Sequence, residues 1–183
     1  MKIYTTPTAK TMSVPLHDLY PVMKEVLDEG GTFSITVRGN SMSPFLRDLR
    51  DQAVFAPLAN RKIRSGDIVF YQRSSGQFVM HRVYEVDANG VMTIAGDAQW
   101  TLEPDIRPDQ LRAYVVKVVR KGKEIDCEKG FWRNLMTTYM RLRFRAPRLT
   151  RFTMRMFHYA VKLVTDPACI MRRIKRITGR KSL

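Results

Sequence analysis

The spacing of apolar positions predicts one helix followed directly by a strand. Between residues 18 and 29 the apolar side chains recur at helical spacing, Asp18 is a suitable N-cap, and Gly30-Gly31 is a stop signal. From Phe33 to Arg38 apolar and polar residues alternate, which is the two-residue period of a strand with one buried face. We therefore predict that the chain enters a sheet immediately after its first helix.

Further short strands follow in the next part of the chain. Further strands are predicted at residues 52–56, 67–72, 77–86, 91–95 and 113–120. Turn-forming Gly, Ser and Asn residues separate these segments, and no helical pattern lies between them. The pattern predicts a mostly β fold: a rolled antiparallel sheet or barrel-like domain, with an N-terminal helix and a basic helical C-terminal tail.

Composition excludes several classes of protein. Hydrophobic residues make up 44% of the 183 residues and charged residues 27%, which is typical of a folded chain and not of a disordered one. Cys127 and Cys169 are too few for a disulfide-rich scaffold and lack the spacing of a zinc site. No signal peptide and no apolar stretch of membrane-spanning length is recognisable. These features predict a cytoplasmic protein without a metal or cofactor.

Charge divides the chain into a nearly neutral body and a basic tail. From Cys127 onward there are 15 Lys+Arg against 2 Asp+Glu, so +13 of the total +15 lies in the tail. We predict an N-terminal extension and helix at 1–31, a β domain at 32–126 and an amphipathic tail at 127–183. The tail reads as three helices, the first at 131–145, with Phe, Trp and Met opposite arginines.

This tail pattern predicts contact with an anionic partner. Basic amphipathic helices with large apolar side chains are typical of segments lying in an anionic membrane interface, here through residues 131–178 on the inner face. Clustered cations also bind nucleic acid, which the interleaved apolar residues disfavour. The remaining alternative is that the apolar faces pack on one another or on the body, with the arginines solvated.

Candidate chemistry begins where the first predicted strand runs into Gly39-Asn40-Ser41-Met42-Ser43-Pro44. A glycine permits a sharp turn, and the serine after it would present its hydroxyl from a constrained corner, as a nucleophile requires. By composition alone this stretch is more typical of an ordinary turn. Two further segments change that interpretation: 64–71 with 77–83, which contain Gly66-Asp67-Ile68-Val69 and His81, and Ala95-Gly96-Asp97.

Together, in this order over residues 33 to 120, the three segments resemble the superfamily of signal peptidases and self-cleaving repressors of the bacterial DNA-damage response. The resemblance implies a nucleophile at Ser41 and a general base at His81, where the endoplasmic-reticulum and archaeal branch also has histidine and other branches have lysine. Asp97 falls at the supporting acid of that branch. Asn40, Met42 and Pro44 would form the oxyanion and substrate-binding corner.

The sequence departs from signal peptidases in two respects. Gly39 replaces the serine that commonly assists the oxyanion two residues before the nucleophile, and neither a membrane span nor an export signal is evident. We therefore expect a serine endopeptidase that cleaves an exposed, extended leader or precursor peptide and is held peripherally at a membrane. The alternative is a non-catalytic or autoproteolytic regulatory module of the same fold, whose tail binds nucleic acid or a partner.

Overall fold

The computed structural model describes residues 14–59, 61–148 and 150, without the Trp132 side chain. Within them it shows two α-helices, a short 3-10 helix (Pro108–Gln110) and eight strands. The predicted mostly β, antiparallel fold with an N-terminal and a C-terminal helix is confirmed. The two later tail helices that the sequence predicts fall beyond residue 150, outside the described residues.

Helix α1 spans Leu16–Asp28, two residues earlier than its predicted start. Pro15, and not Asp18, occupies the N-cap position, and Asp18 lies in the first turn, where a carboxylate interacts favourably with the helix dipole. Met23 and Leu27 are buried, so the helix packs one apolar face and exposes the other.

The strands form one antiparallel sheet that does not close into a barrel. They are β1 (Phe33–Thr36), β2 (Asp51–Ala56), β3 (Ile68–Gln72), β4 (Phe78–Val86), β5 (Met92–Ala95), β6 (Glu103–Ile106), β7 (Leu111–Arg120) and β8 (Lys123–Asp126). Their order is β1-β2-β7-β3-β4-β5-β6, with β8 paired to β7. The edges β1 and β6 remain open, whereas β3 and β4 lie side by side in the interior of the order.

Two of these strands, β6 and β8, were not predicted. Strand β6 contains Pro104 and Asp105, which disfavour strands, and Asp105 has a positive φ of 60°. Strand β8 pairs with the end of β7 across the predicted Lys121-Gly122 turn, but three of its four residues are charged and none is fully buried. Both strands are therefore stabilised by their partners in the sheet more than by their own side chains.

The two faces of β3 and β4 pack against different groups. On one face Val69, Tyr71 and Val83 join the cluster of buried residues completed by strands β5 to β7. On the other face Phe70 stacks on Phe78 at 5.4 Å, and Tyr20 of α1 packs on Phe78 at 4.5 Å. Helix α1 thus covers the Phe70 face, and the site described below lies at the margin between the two faces.

Helix α2 spans Gly130–Arg145, at the position predicted for the first tail helix. The chain divides into two compact units between Thr137 and Thr138. Only the part of α2 from Gly130 to Thr137 therefore belongs to the unit that contains the sheet. Among the described helices, none combines the length and apolarity needed to cross a bilayer.

Candidate active site

The loop between β1 and β2 carries Ser41. It leaves β1 through Gly39, whose φ of +88° is readily adopted only without a Cβ. The Gly39 N–H donates to Asp48 Oδ1 at 2.8 Å, and the Leu49 N–H donates to the Val37 carbonyl at 2.9 Å. These bonds close the loop on itself, so Ser41 is presented on a fixed corner and is partly exposed.

A buried carboxylate holds the far end of this loop. Asp51 is fully buried and accepts hydrogen bonds from the Arg47 N–H at 3.0 Å and from the Arg50 guanidinium at 2.7 Å. Arg120 of β7 adds two more, at 3.1 and 3.2 Å, and also donates to the Phe45 carbonyl. Burial raises the pKa of Asp51, but the bonds from Arg50, Arg120 and Arg47 outweigh it and hold the pKa at about 2.

Ser41 and His81 line the same cavity of about 320 Å³. The two side chains are not hydrogen-bonded to each other, and the Ser41 hydroxyl and N–H have no hydrogen-bond partner within the described chain. Such contacts are often long in unliganded enzymes and tighten when substrate binds. The Ser41 N–H is thus available to an incoming oxygen atom. Met42 also lines this cavity and is buried.

His81 is only 3% exposed, in the middle of β4. Burial lowers the pKa of the ring to about 4; the Glu103 and Asp97 carboxylates oppose this shift and the Arg73 guanidinium adds to it. The imidazole is therefore neutral at pH 7, the state in which it can accept a proton. Its Nδ1 atom lies 3.4 Å from the Tyr71 hydroxyl, at the long end of hydrogen-bonding distance.

Tyr71 connects His81 to an acid that the sequence did not indicate. Its hydroxyl donates to Glu103 Oε2 at 2.7 Å, and Arg73 holds both oxygens of the same carboxylate at 2.7 and 2.5 Å. Glu103 belongs to the unpredicted strand β6, so its approach to His81 was not foreseeable. The sequence offered one signal: Tyr71 lies on the strand next to β4, two residues from Val69, which pairs with His81. Its hydroxyl could therefore be expected near the His81 ring.

Asp97, the predicted supporting acid, makes a different contact. Both of its oxygens accept hydrogen bonds from Arg82 at 2.8 Å, and both residues are almost fully buried. The Arg82 guanidinium also donates to the Gly66 carbonyl at 2.9 Å and lies 4.9 Å from the centre of the Phe45 ring. Asp97 thus fixes the residue next to His81, and the hydrogen bond at His81 Nδ1 is made with Tyr71.

The Gly96-Asp97 turn also contacts the loop that carries Ser41. The Ala98 N–H donates to the Ser41 carbonyl at 2.7 Å, and a Cβ on Gly96 would lie 2.6 Å from that same oxygen. A glycine is therefore required by the close approach of the two backbones. Through this turn the three sequence segments that carry the family resemblance meet in space, with Arg82 and Ser41 on either side of it.

One side of β4 is open beside His81. Strand β3 pairs with all of residues 78–82, whereas β5 pairs only from Arg82 onward. Because hydrogen bonding alternates along a strand, the N–H and C=O groups of Phe78 and Met80 point to the side away from β3. Both residues line the cavity. No strand of the described chain occupies this side, so it offers hydrogen-bonding groups to an added strand.

A second, apolar cavity adjoins the first. It measures about 220 Å³ and lies between α1 and the sheet. Its walls include Leu16, Ile35, Phe55 and Phe70, and it shares Phe78 and Met80 with the first cavity. An apolar side chain from a peptide bound along β4 therefore has a place to bury its surface.

The remaining predicted site residues lie outside the cavity. Asn40 and Pro44 are exposed in the loop, and neither is among the described residues that line the cavity. Pro44 follows a cis peptide bond, and the Asn40 carbonyl accepts the Ser43 N–H at 3.0 Å. Their predicted roles in substrate binding stay predictions. Asp67 shapes a turn by accepting the Arg64 N–H at 2.9 Å.

Comparison with known proteins identifies the family. A search of curated proteins finds no match to this chain. The model of one family, described as Peptidase S24-like, matches residues 6–117. This match covers more than half of the chain and includes the Ser41 loop, strand β4 and the Gly96-Asp97 turn. The chain belongs to the Peptidase S24-like family.

Proposed function

We propose that this protein is a serine endopeptidase in which Ser41 is the nucleophile and His81 the general base. The observation that carries the proposal is that both residues line one cavity, beside an open strand edge. Family membership supports a peptidase-type fold, and the family also contains members without catalytic activity. A histidine as base would agree with the resemblance to the endoplasmic-reticulum and archaeal type of signal peptidase.

The mechanism begins with proton transfer. As the Ser41 oxygen attacks the peptide carbonyl carbon, its proton passes to Nε2 of the neutral His81 ring. The tetrahedral intermediate collapses when the resulting imidazolium returns that proton to the departing amine, leaving an acyl-enzyme. Water then attacks the ester, and His81 takes and returns a proton in the same way. Hydrolysis thus consumes one water and regenerates both side chains.

The oxyanion of the tetrahedral intermediate needs a hydrogen-bond donor that has no other acceptor. The Ser41 N–H has no partner in the described chain and lies at the same corner as the hydroxyl. A single oxyanion donor contributes about 3 kcal/mol to transition-state stabilisation. Gly39 has no side chain to help, so this N–H carries more of the stabilisation than in relatives with serine at that position.

The substrate would be an extended peptide, such as a leader or precursor segment. It would add to β4 by bonding to the outward-facing backbone groups of Phe78 and Met80, the mode known as β-augmentation. A peptide bound in this way would pass close to Ser41, which lines the same cavity as Phe78 and Met80. An apolar side chain of the peptide would enter the adjoining cavity. Because only an extended segment can add to the strand, unfolded or flexible substrates would be favoured.

A serine-reactive probe tests this proposal without knowledge of the substrate. An alkyl fluorophosphonate should label the wild-type protein at Ser41, and Ser41→Ala should abolish labelling. His81→Ala should slow labelling by about 10²- to 10⁴-fold, the usual contribution of a general base. Ser43→Ala and His17→Ala are matched controls, because they alter a serine of the same turn and an exposed histidine on α1.

The result decides between the enzyme and its alternative. Labelling that persists in Ser41→Ala, or that is unaffected in His81→Ala, contradicts the proposed mechanism. A folded wild-type protein that resists the probe and shows salt-dependent binding to DNA would instead indicate a regulatory module with a nucleic-acid-binding tail.

We also propose that the basic tail holds the enzyme at an anionic membrane surface. Phe131 and Leu135 lie one turn apart on α2 and are 69% and 47% exposed. Lys129 and Arg133 alternate with them in the sequence. Exposed apolar side chains among cations favour an interfacial helix, where burial in lipid and attraction to anionic headgroups act together.

Vesicle sedimentation tests this attachment. The full chain should pellet with phosphatidylserine-containing vesicles and remain in solution with phosphatidylcholine alone. Phe131→Ser with Leu135→Ser should reduce the pelleted fraction, whereas Val22→Ser, which alters an equally exposed apolar residue on α1, should not. Equal binding by all three proteins, or no binding at all, contradicts this mode of attachment.

A further inference from the structure

The hydrogen bonds around Tyr71 determine where the proton on the His81 ring must lie. Glu103 is ionised, because hydrogen bonds from Arg73 and Tyr71 lower the pKa of its carboxyl group. As a carboxylate it can only accept hydrogen bonds. Tyr71 keeps its proton, because burial and the bond to Glu103 raise the pKa of its hydroxyl.

Tyr71 has one proton and two neighbours that could accept it, because Arg73, which also contacts the hydroxyl, can only donate. Its oxygen lies 2.7 Å from the Glu103 carboxylate and 3.4 Å from His81 Nδ1. The shorter contact is with a charged acceptor, and charge-assisted hydrogen bonds are about twice as strong as neutral ones. The Tyr71 proton is therefore donated to Glu103, and towards His81 the phenol oxygen presents only a lone pair.

We infer that Tyr71 and Glu103 form a positioning relay that holds the proton of His81 on Nδ1 and leaves the Nε2 lone pair free for the Ser41 hydroxyl. The inference rests on the proposed function for its purpose, but the tautomer follows from the hydrogen bonds alone. Only a donor at Nδ1 can pair with the phenol oxygen, so the opposite tautomer would leave that oxygen and ring nitrogen with facing lone pairs.

The other charges near His81 do not supply this orientation. Arg73 donates hydrogen bonds of 2.7 Å to Oε1 of Glu103 and to Oε1 of Gln77, and Arg82 is paired with Asp97. Glu103 on β6 and Asp97 after β5 raise the His81 pKa, and Arg73 after β3 lowers it. Within the described chain, only Tyr71 makes a hydrogen bond with the ring. The relay thus takes the place at Nδ1 that an aspartate occupies in a Ser-His-Asp triad.

Ring ¹⁵N shifts of His81 in the labelled full-length protein test the relay directly. At pH 7 the wild type should show a protonated Nδ1 and an unprotonated Nε2. Tyr71→Phe removes the acceptor, and Glu103→Gln removes the charge that claims the Tyr71 proton; both should shift the tautomer population towards protonated Nε2. Tyr114→Phe is the matched control, because Tyr114 packs on the same core cluster but pairs with Arg61.

The probe reaction supplies the functional counterpart. Tyr71→Phe should slow fluorophosphonate labelling at Ser41 about tenfold or more, and by less than the roughly 10⁴-fold that follows a fully wrong tautomer. Tyr114→Phe should label at the wild-type rate. Because Tyr71→Phe only removes one hydroxyl from a packed ring, it keeps the test valid if Glu103→Gln fails to fold.

Failure of the relay and failure of the proposed function are distinguishable. A wild-type ring protonated on Nε2, or unchanged ring shifts in Tyr71→Phe, overturns the relay whether or not Ser41 reacts. The predicted shifts in a protein that no probe labels would support the relay as a structural feature and reject the enzyme.

Discussion

The two sides of the cavity are held in different ways. The Ser41 loop is fixed by contacts between near neighbours, such as Gly39 with Asp48 and Arg47 with Asp51. His81 is fixed by contacts between distant strands: Tyr71 reaches Glu103 across 32 positions, and Arg82 reaches Asp97 across 15. Ser41 is therefore placed largely by local chain geometry, with Arg120 and Ala98 as its long-range contacts. His81, in contrast, is held through partners that the assembled sheet brings to it.

This difference predicts that damage to the sheet should affect His81 before Ser41. The largest effect is expected at Arg82, which is buried and binds the Asp97 carboxylate through two hydrogen bonds. Arg82→Met leaves that carboxylate buried without its charge partner, which should cost about 3–5 kcal/mol of unfolding free energy. Denaturant unfolding of the two proteins measures it.

A double variant separates two contributions to the unfolding free energy: the cost of leaving the Asp97 carboxylate buried without Arg82, and the net contribution of the Arg82–Asp97 ion pair. Arg82→Met with Asp97→Leu should recover much of the lost stability, since well-packed apolar residues often replace a buried ion pair without loss. Arg107→Met, which breaks an exposed pair with Asp109, should be nearly neutral. The comparison fails if the Arg82 and Arg107 variants are equally stable.

The next effect concerns acid stability on the His81 side. The folded pKa of His81, about 4, lies below the usual value of 6.5, so between these pH values the unfolded chain binds a proton that the folded protein does not. Stability is therefore lost as pH falls from 6.5 to 4, by about 3 kcal/mol from this group. His81→Gln should remove that part of the pH dependence in denaturant titrations. Parallel curves for both proteins would contradict the burial argument.

A smaller effect of the same kind is expected on the Ser41 side, at more acid pH. The pKa of Asp51 is held at about 2, below its usual 3.8, so its stabilisation is complete above 3.8 and is lost as pH falls through 2. The amount is about 2 kcal/mol. Asp51→Asn should lower the unfolding free energy at pH 5 and weaken its dependence on pH between 3.8 and 2, both measured by denaturant unfolding. If Asp51→Asn matches wild type at pH 5, the carboxylate does not hold the loop.

These contrasts explain how far the sequence alone could lead. Short apolar segments between turn signals sufficed for six strands, and the Gly39 corner, His81 and the Gly96-Asp97 turn were recognisable because each is a short local motif. Glu103 was not, because β6 contains Pro104 and gains its strand conformation only by pairing with β5. Nor could the sequence show that Asp97 binds Arg82, since Arg82 and His81 are adjacent but point to different partners.

The open side of β4 is short. It begins at the hairpin turn near Gly76 and ends where β5 joins at Arg82, so only Phe78 and Met80 present main-chain groups there. An incoming chain can form only a handful of such bonds, each contributing about 1 kcal/mol. Main-chain pairing would then align a substrate without retaining it tightly. Discrimination among sequences would fall to whichever side chain reaches the neighbouring cavity, and products would depart readily after cleavage.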